Sequence, residues 1–275
     1  MVSRDERGGR TRGGPRRLAL AAAGRVGLDV NAAHLTRGWI AREAVLLVGA
    51  VFAYFAVRAV TEGSQEQALR NAQRVVELEQ SLGFFWEPTW QAAIEGSNLL
   101  VTLANWAYIY GHWPVITVVA IWLAASRPGT YRLMRNAFLV SGGIGLIIFV
   151  SFPTAPPRLT EIEITDTVTL YSHAYRVLQP PSIVNQYAAV PSLHFGWNLL
   201  IGLAVIHVAT NWVARLFGFV MPVVMFLAIV LTGNHFIFDG IAGAAVALTG
   251  LGIAYGIRRR TQRGDVTGDT RAAAA

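Results

Sequence analysis

The chain has 275 residues, of which 53% are hydrophobic and 14% are charged, and it contains no cysteine. This composition is too apolar for a typical water-soluble domain and predicts a polytopic membrane protein, while the missing cysteines exclude disulfides and thiolate metal ligands. All 23 basic residues are arginine, and the net charge is +7. Because the arginines fall mostly at the termini and between apolar runs, they indicate membrane orientation and argue against nucleic-acid binding.

The apolar runs divide the chain into three predicted parts. Residues 1–38 are rich in Arg and Gly with few large apolar side chains, which predicts a disordered cytoplasmic tail. Residues 39–257 predict an all-α membrane bundle with six transmembrane helices, and residues 258–275 predict a basic cytoplasmic tail. The six predicted spans cover residues 44–60, 98–126, 133–152, 192–208, 216–231 and 240–257.

The segments between and within these spans have distinct patterns. Residues 61–97 alternate charged and apolar positions, with more glutamate than arginine, and predict an amphipathic segment outside the bilayer. The run at 98–126 is too long for one upright helix and favours a tilted span or one kinked at Pro114. Its His112 is interpreted as a helix-to-helix hydrogen bonder. In the last span, Gly243, Ala244, Ala247 and Gly250 predict a small-residue packing face.

Counting the spans assigns each connection to one side of the membrane. Six crossings put both tails, the Arg-rich loop at 127–135 and the turn with Arg215 on one side, which the positive-inside rule makes the cytoplasm. The long polar connection at 153–191 then lies on the opposite side, together with the start of the fourth span and the segment 233–239. Three polar segments, distant in sequence, are therefore predicted to meet at the extracytoplasmic face.

These three segments carry the residues that indicate chemistry. Arg158 lies in FPTAPPRL, Ser192 and His194 lie in PSLH, and His235 and Asp239 lie in GNHFIFD. PSLH followed by H-x-x-x-D resembles the membrane-bound type 2 phosphatidic acid phosphatase superfamily, over about residues 40–257. FPTAPPRL, together with PSLH in place of the commoner PSGH, is similar to the inositol phosphorylceramide synthase-like branch, which contains inositolphosphotransferases.

The resemblance implies a metal-independent lipid phosphatase or phosphotransferase that works through a phosphohistidine intermediate. His235 is expected to be the nucleophile, Asp239 to orient its ring, and His194 to protonate the leaving group. Arg158, with help from Ser192, is expected to bind the phosphate. Neither a cofactor nor a metal is expected, although two histidines and an aspartate could in principle form a three-ligand zinc site.

Two motifs of the superfamily are missing. Its first motif, K-x6-RP, would need a lysine where Ala120 precedes Arg127 and Pro128, and its third motif would need Ser-Arg where Ala228 and Ile229 stand. These departures favour the synthase-like branch over ordinary phosphatidate phosphatase activity. The partner is expected to be a membrane lipid, and either water or a polar alcohol could accept the phosphate. A non-enzymatic transporter or lipid scramblase, using the same polar cluster as a relay, is the alternative.

Overall fold

This computed structural model describes residues 35–60, 64–171 and 186–272, and almost all of the regular structure in these ranges is helical. The all-α prediction is confirmed. A short 3-10 turn covers Pro157–Leu159. In chain order the α-helices are α1 (Arg37–Val60), α2 (Gln65–Leu82), α3 (Glu87–Glu95), α4 (Asn98–Tyr110), α5 (Trp113–Ser126), α6 (Pro128–Ser151), α7 (Thr167–Tyr171), α8 (Leu193–Val208), α9 (Trp212–Leu231) and α10 (Ile237–Ala272).

Four of these helices, α1, α6, α9 and α10, are long and apolar enough to cross a membrane. A fifth candidate arises if α4 and α5 are one span, which bends by 45°. The bend falls at Gly111 and His112, directly before α5, and Pro114 lies in the first turn of α5, where proline is tolerated. The predicted kink is therefore confirmed. Helix α8 is apolar but has only 16 residues, so the count of six spans stays a prediction.

The Arg-rich segment 127–135 is not a loop as predicted, because α6 already begins at Pro128. The buried Glu43 of α1 explains how arginine fits into this helix. Arg135 forms an ion pair with Glu43, and the Tyr131 hydroxyl donates to the other Glu43 oxygen at 3.1 Å. These contacts tie α1 to α6 and give the arginine a partner within the bundle.

The helix of the last predicted span also differs from its predicted bounds. Helix α10 begins at Ile237, before the predicted 240, and continues past the arginines at 258–260 to Ala272. Residues 1–34 of the predicted N-terminal tail, and residues 172–185 of the polar connection, lie outside the described ranges.

The centre of the bundle is a close crossing of α8 and α10. A Cβ added at Gly243 of α10 would overlap the carbonyl oxygen of Ser192, and a Cβ added at Gly196 of α8 would overlap the carbonyl oxygen of Gly243. A Cβ added at Gly250, further along α10, would crowd Ser141 of α6. The small-residue packing face predicted for the last span is thus confirmed, and it brings the starts of α8 and α10 together.

The amphipathic pattern before the second span forms α2 and α3. Ser64 caps α2, since its hydroxyl accepts from the Gln67 N–H at 3.2 Å, and Gly83 ends it with a φ of 76°. The apolar face of α2 packs on Phe236, next to the start of α10. Two acidic residues of this segment, Glu79 and Glu87, are fully buried, although its charge pattern is typical of a solvated surface.

Candidate active site

Backbone hydrogen bonds join the three polar segments at one end of the bundle. The Arg158 N–H donates to the Gly233 carbonyl at 3.0 Å, and the Ser192 N–H donates to the Asp239 carbonyl at 2.9 Å. Thr154 forms a single parallel β-bridge with Ala188, just before PSLH. The segments that carry FPTAPPRL, PSLH and GNHFIFD are therefore in direct contact.

His235 lies in the tight connection between α9 and α10. Gly233, with a φ of 69°, lets the chain turn, and the His235 N–H donates to the Ile229 carbonyl at 3.0 Å. Its ring atom Nδ1 lies 2.9 Å from the Ala189 carbonyl oxygen and 3.2 Å from Asp239 Oδ2. Because both neighbours are acceptors, Nδ1 carries the proton, and Nε2 keeps its lone pair.

Asp239 lies in the first turn of α10 and is fully buried. Its Oδ2 accepts from the His235 ring and also from the Phe236 N–H at 2.9 Å. The positive end of the helix dipole favours a carboxylate at this position. Asp239 is thus placed to hold the His235 ring and to balance a positive charge that develops on it.

His194, the second residue of α8, faces His235 with a ring-centroid separation of 5.8 Å. Its ring stacks on Tyr108 at 4.9 Å and also contacts His112, with ring centroids 4.2 Å apart. The Asn198 amide bridges to His112 Nδ1 at 3.0 Å and donates to the His194 carbonyl at 2.6 Å. His112 therefore makes the predicted helix-to-helix hydrogen bond, and it also packs directly against His194.

The guanidinium of Arg158 is held from two sides. Nη1 donates to the Asn234 side-chain oxygen at 2.7 Å, and Nε lies 3.3 Å from Asp166 Oδ2. Its side chain is only 10% exposed, so the two partners and the surrounding residues restrict the movement of this cation. Asn234 is adjacent to His235 in sequence, so the same turn carries both the ring and the support for the arginine.

Ser192 is fully buried and caps α8, since its Oγ accepts from the Phe195 N–H at 3.4 Å. The hydroxyl thus already has a structural task at the start of that helix. The structure places Ser192 beside the site through its backbone bond to Asp239, and its role in phosphate binding stays a prediction.

The sequence did not point to several residues that contact the two histidines or Arg158, namely Tyr108, Asp166, Asn234 and the carbonyl of Ala189. Asn234 and Ala189 adjoin the motifs, so proximity could have pointed to them. Tyr108 and Asp166 belong to segments with no motif, and only the fold brings them here. Within the described ranges, no group of three or more His, Asp or Glu side chains is arranged to hold a metal ion.

A family model described as the PAP2 superfamily matches residues 73–253 of the chain, which include all five residues considered above. The chain belongs to the PAP2 superfamily. The apolar helices and the membership of this superfamily together identify the protein as a membrane lipid phosphatase. Because the chain belongs to the PAP2 superfamily, it is an enzyme and not the non-enzymatic transporter or scramblase considered as the alternative.

Among solved structures, the PAP2 chain is similar to the crystal structure of Aquifex aeolicus LpxE, with 16% sequence identity and a TM-score of 0.48. The match covers 63% of this chain and 93% of that one. No curated protein gives a significant match. The branch of the PAP2 superfamily to which the chain belongs stays a prediction.

Proposed function

We propose that this PAP2 protein cleaves a lipid phosphate by direct attack of His235 on phosphorus. The observation that carries this proposal is the pair of acceptors at His235 Nδ1, the Ala189 carbonyl at 2.9 Å and Asp239 Oδ2 at 3.2 Å. They fix the ring and its tautomer and leave the Nε2 lone pair for the substrate. The facing ring of His194 supplies the second group that the reaction needs.

In the first step the Nε2 lone pair forms a bond to phosphorus while the bond from phosphorus to the leaving oxygen breaks. The leaving oxygen takes a proton from His194 in its protonated form. Asp239 balances the positive charge on the phosphorylated ring of His235. The separation of 5.8 Å between the two ring centroids is compatible with a phosphoryl group that both rings contact.

In the second step water or an alcohol attacks the phosphohistidine, and His194 takes the proton of the incoming oxygen. The phosphorus–nitrogen bond breaks and the electron pair returns to Nε2. Arg158 neutralises charge on the phosphate oxygens in both steps through its guanidinium donors. The Ser192 hydroxyl accepts from Phe195, so its own O–H proton can be donated to the phosphate.

The substrate is a phosphate-bearing membrane lipid, bound at the extracytoplasmic face. The arginine distribution supports this orientation through the positive-inside rule. Three sequence features support membership of the inositol phosphorylceramide synthase-like branch. They are PSLH, FPTAPPRL, and Ala228 and Ile229 in place of Ser-Arg. In that branch an alcohol accepts the phosphate-bearing headgroup, whereas water as the acceptor would make the protein a plain lipid phosphatase.

The proposal is tested by trapping the intermediate. Purified protein in detergent is mixed briefly with phospholipids and polyprenyl diphosphates that carry labelled phosphate, and then denatured. We expect protein-bound label that survives alkali and is lost in acid, as a phosphoramidate behaves. His235→Ala should abolish the label, while His207→Ala, an exposed histidine at the far end of α8, should keep it.

Two further arms complete this experiment. Vanadate, which adopts the five-coordinate shape of the transition state, should inhibit the wild-type protein. If the protein belongs to the synthase-like branch, adding inositol or a diacylglycerol as an alcohol acceptor should change the product from free phosphate to a new phosphate ester. Label on another residue, with His235→Ala still active, would show that the nucleophile is misassigned.

A further inference from the structure

The first N–H groups of α10 are held by carboxyl oxygens from three different helices. The Phe236 N–H donates to Asp239 Oδ2 at 2.9 Å, the Ile237 N–H donates to Glu87 Oε1 at 2.7 Å, and the Phe238 N–H donates to Glu79 Oε1 at 2.6 Å. A helix usually caps these groups with Ser, Thr, Asn or Asp directly before its first turn. Phe236 stands there instead, so two of the caps come from α2 and α3.

These three N–H groups belong to the residues that connect His235 with Asp239. The motif H-x-x-x-D reads His235, Phe236, Ile237, Phe238, Asp239, and each of the three intervening residues is tied to a carboxyl group. The backbone between the proposed nucleophile and its orienting aspartate therefore depends on Glu79 and Glu87 for its position.

Glu79 and Glu87 are both fully buried, and their carboxyl groups are close enough to share a hydrogen bond if one of them is protonated. Among the residues that the structure describes, no other group donates to their second oxygens. Two ionised carboxylates would repel each other here, whereas a proton on one can be donated to the other. Burial, followed by hydrogen bonding and charge repulsion from Glu87, raises the pKa of Glu79 to about 9. At neutral pH the pair therefore holds a proton between its two carboxyl groups, which leaves Glu79 Oε1 free to accept from the Phe238 N–H.

We propose that Glu79 and Glu87 are positioning residues for phosphoryl transfer, which hold the connection between His235 and Asp239 and so set the direction of the His235 ring. This inference rests on the roles proposed above for these two residues. A simple helix cap would affect only the stability of the fold. A positioning pair also affects turnover, because small misplacements of a nucleophile are costly.

The test compares substitutions that remove the acceptor with substitutions that keep it. Glu79→Leu and Glu87→Leu remove an acceptor oxygen, whereas the amide of Glu79→Gln keeps both an acceptor for Phe238 and a donor for Glu87. Glu77→Gln on α2 and Glu95→Gln on α3 are the matched controls, since both glutamates are exposed. Turnover and KM are measured in detergent on the lipid found in the trapping experiment, together with thermal unfolding.

We expect the two leucine variants to lower kcat by about 10- to 100-fold with little change in KM. Glu79→Gln should turn over like the wild type at pH 7. Because Glu79 faces the carboxyl groups of Glu87 and Asp239, its ionisation near pH 9 should also reduce wild-type turnover, and Glu79→Gln should remove that alkaline loss. The two controls should behave like the wild type.

Folded leucine variants with wild-type kcat would overturn the inference. If the leucine variants do not fold, the pH dependence of Glu79→Gln turnover is the deciding measurement. A loss of turnover near pH 9 identical to that of the wild type would overturn the inference. Absence of that loss in Glu79→Gln would support it. The proposed function fails separately, since it predicts that His235→Ala is inactive. An inactive His235→Ala protein beside fully active leucine variants would remove only the positioning role.

Discussion

The backbone N–H of Ser192 donates to the backbone carbonyl of Asp239 at 2.9 Å. This bond links the start of α8, which carries His194, to the first turn of α10, which follows directly after His235. It forms only because Gly243 lets α10 pass directly against the Ser192 carbonyl. The close approach of α8 and α10 that brings the two rings near each other therefore depends on the absence of a side chain at Gly243.

Gly243→Ala should lower both stability and activity. The added Cβ would overlap the Ser192 carbonyl. Because this carbonyl belongs to the backbone, the overlap can be relieved only if α8 and α10 move apart. We expect a loss of about 1 to 3 kcal/mol, the usual cost of overpacking, seen as a lower midpoint of thermal unfolding in detergent. Gly252→Ala, on the same helix with open space around it, should be neutral or slightly stabilising. Equal unfolding midpoints for the two variants would contradict the close crossing.

Asp239→Asn should fold but lose turnover. The amide oxygen can still accept from the Phe236 N–H, which the carboxylate does at 2.9 Å, so the start of α10 should persist. The negative charge that balances a phosphorylated His235 is lost, and we expect kcat to fall by about 10²- to 10⁴-fold. Thermal unfolding checks the fold, and turnover of the labelled lipid checks the chemistry. A variant with normal turnover would remove Asp239 from the mechanism.

The predicted sidedness can be measured with single cysteines, since the chain has none of its own. Glu161 and Glu163 are exposed close to Arg158 in the chain. Arg132 is exposed near the start of α6 and Thr210 is exposed between α8 and α9, at the ends of these helices that are assigned to the cytoplasm. In intact cells a membrane-impermeant thiol reagent should label cysteine at 161 and 163. At 132 and 210 it should label only after permeabilisation. Labelling of position 132 in intact cells would overturn the orientation derived from the arginines.

The buried pair of Glu79 and Glu87 predicts that stability falls as the pH rises. The folded state holds a proton on Glu79 up to a pKa of about 9, whereas the unfolded state releases it near the ordinary value of 4.5. Between these values the folded state binds more protons, so each increase in pH lowers the free energy of unfolding. The contribution of protonated Glu79 to the free energy of unfolding is therefore complete below pH 4.5 and lost above about pH 9.

Thermal unfolding of the wild type between pH 6 and 9 measures this dependence. Glu79→Gln cannot ionise and should show a flatter dependence, whereas Glu77→Gln should follow the wild type. Parallel curves for the wild type and Glu79→Gln would show that Glu79 is ionised in the folded state at neutral pH.

The sequence by itself determined the membrane character, the all-α class, the kink near Pro114 and the PAP2 superfamily. These properties follow from local information, because hydropathy is read over one helix length, a proline acts on its own turn, and each motif spans only a few residues. The start of α6 was missed because its arginines suggested a loop. Their partner, Glu43, lies 92 residues away from Arg135.

The tertiary structure alone decided how the site is built. The site depends on contacts between segments far apart in the chain, which no local pattern encodes. They are the Ala189 carbonyl at the His235 ring, Tyr108 against His194, and Asn234 and Asp166 around Arg158. Glu79 is the clearest case. It follows Ala68, Ala72, Val75 and Val76 on the apolar face of α2, yet only the packing of α2 on α10 shows that its carboxyl group accepts from the Phe238 N–H. Burial and partners are properties of the whole fold, and they turn an ordinary acidic residue into part of the proposed site.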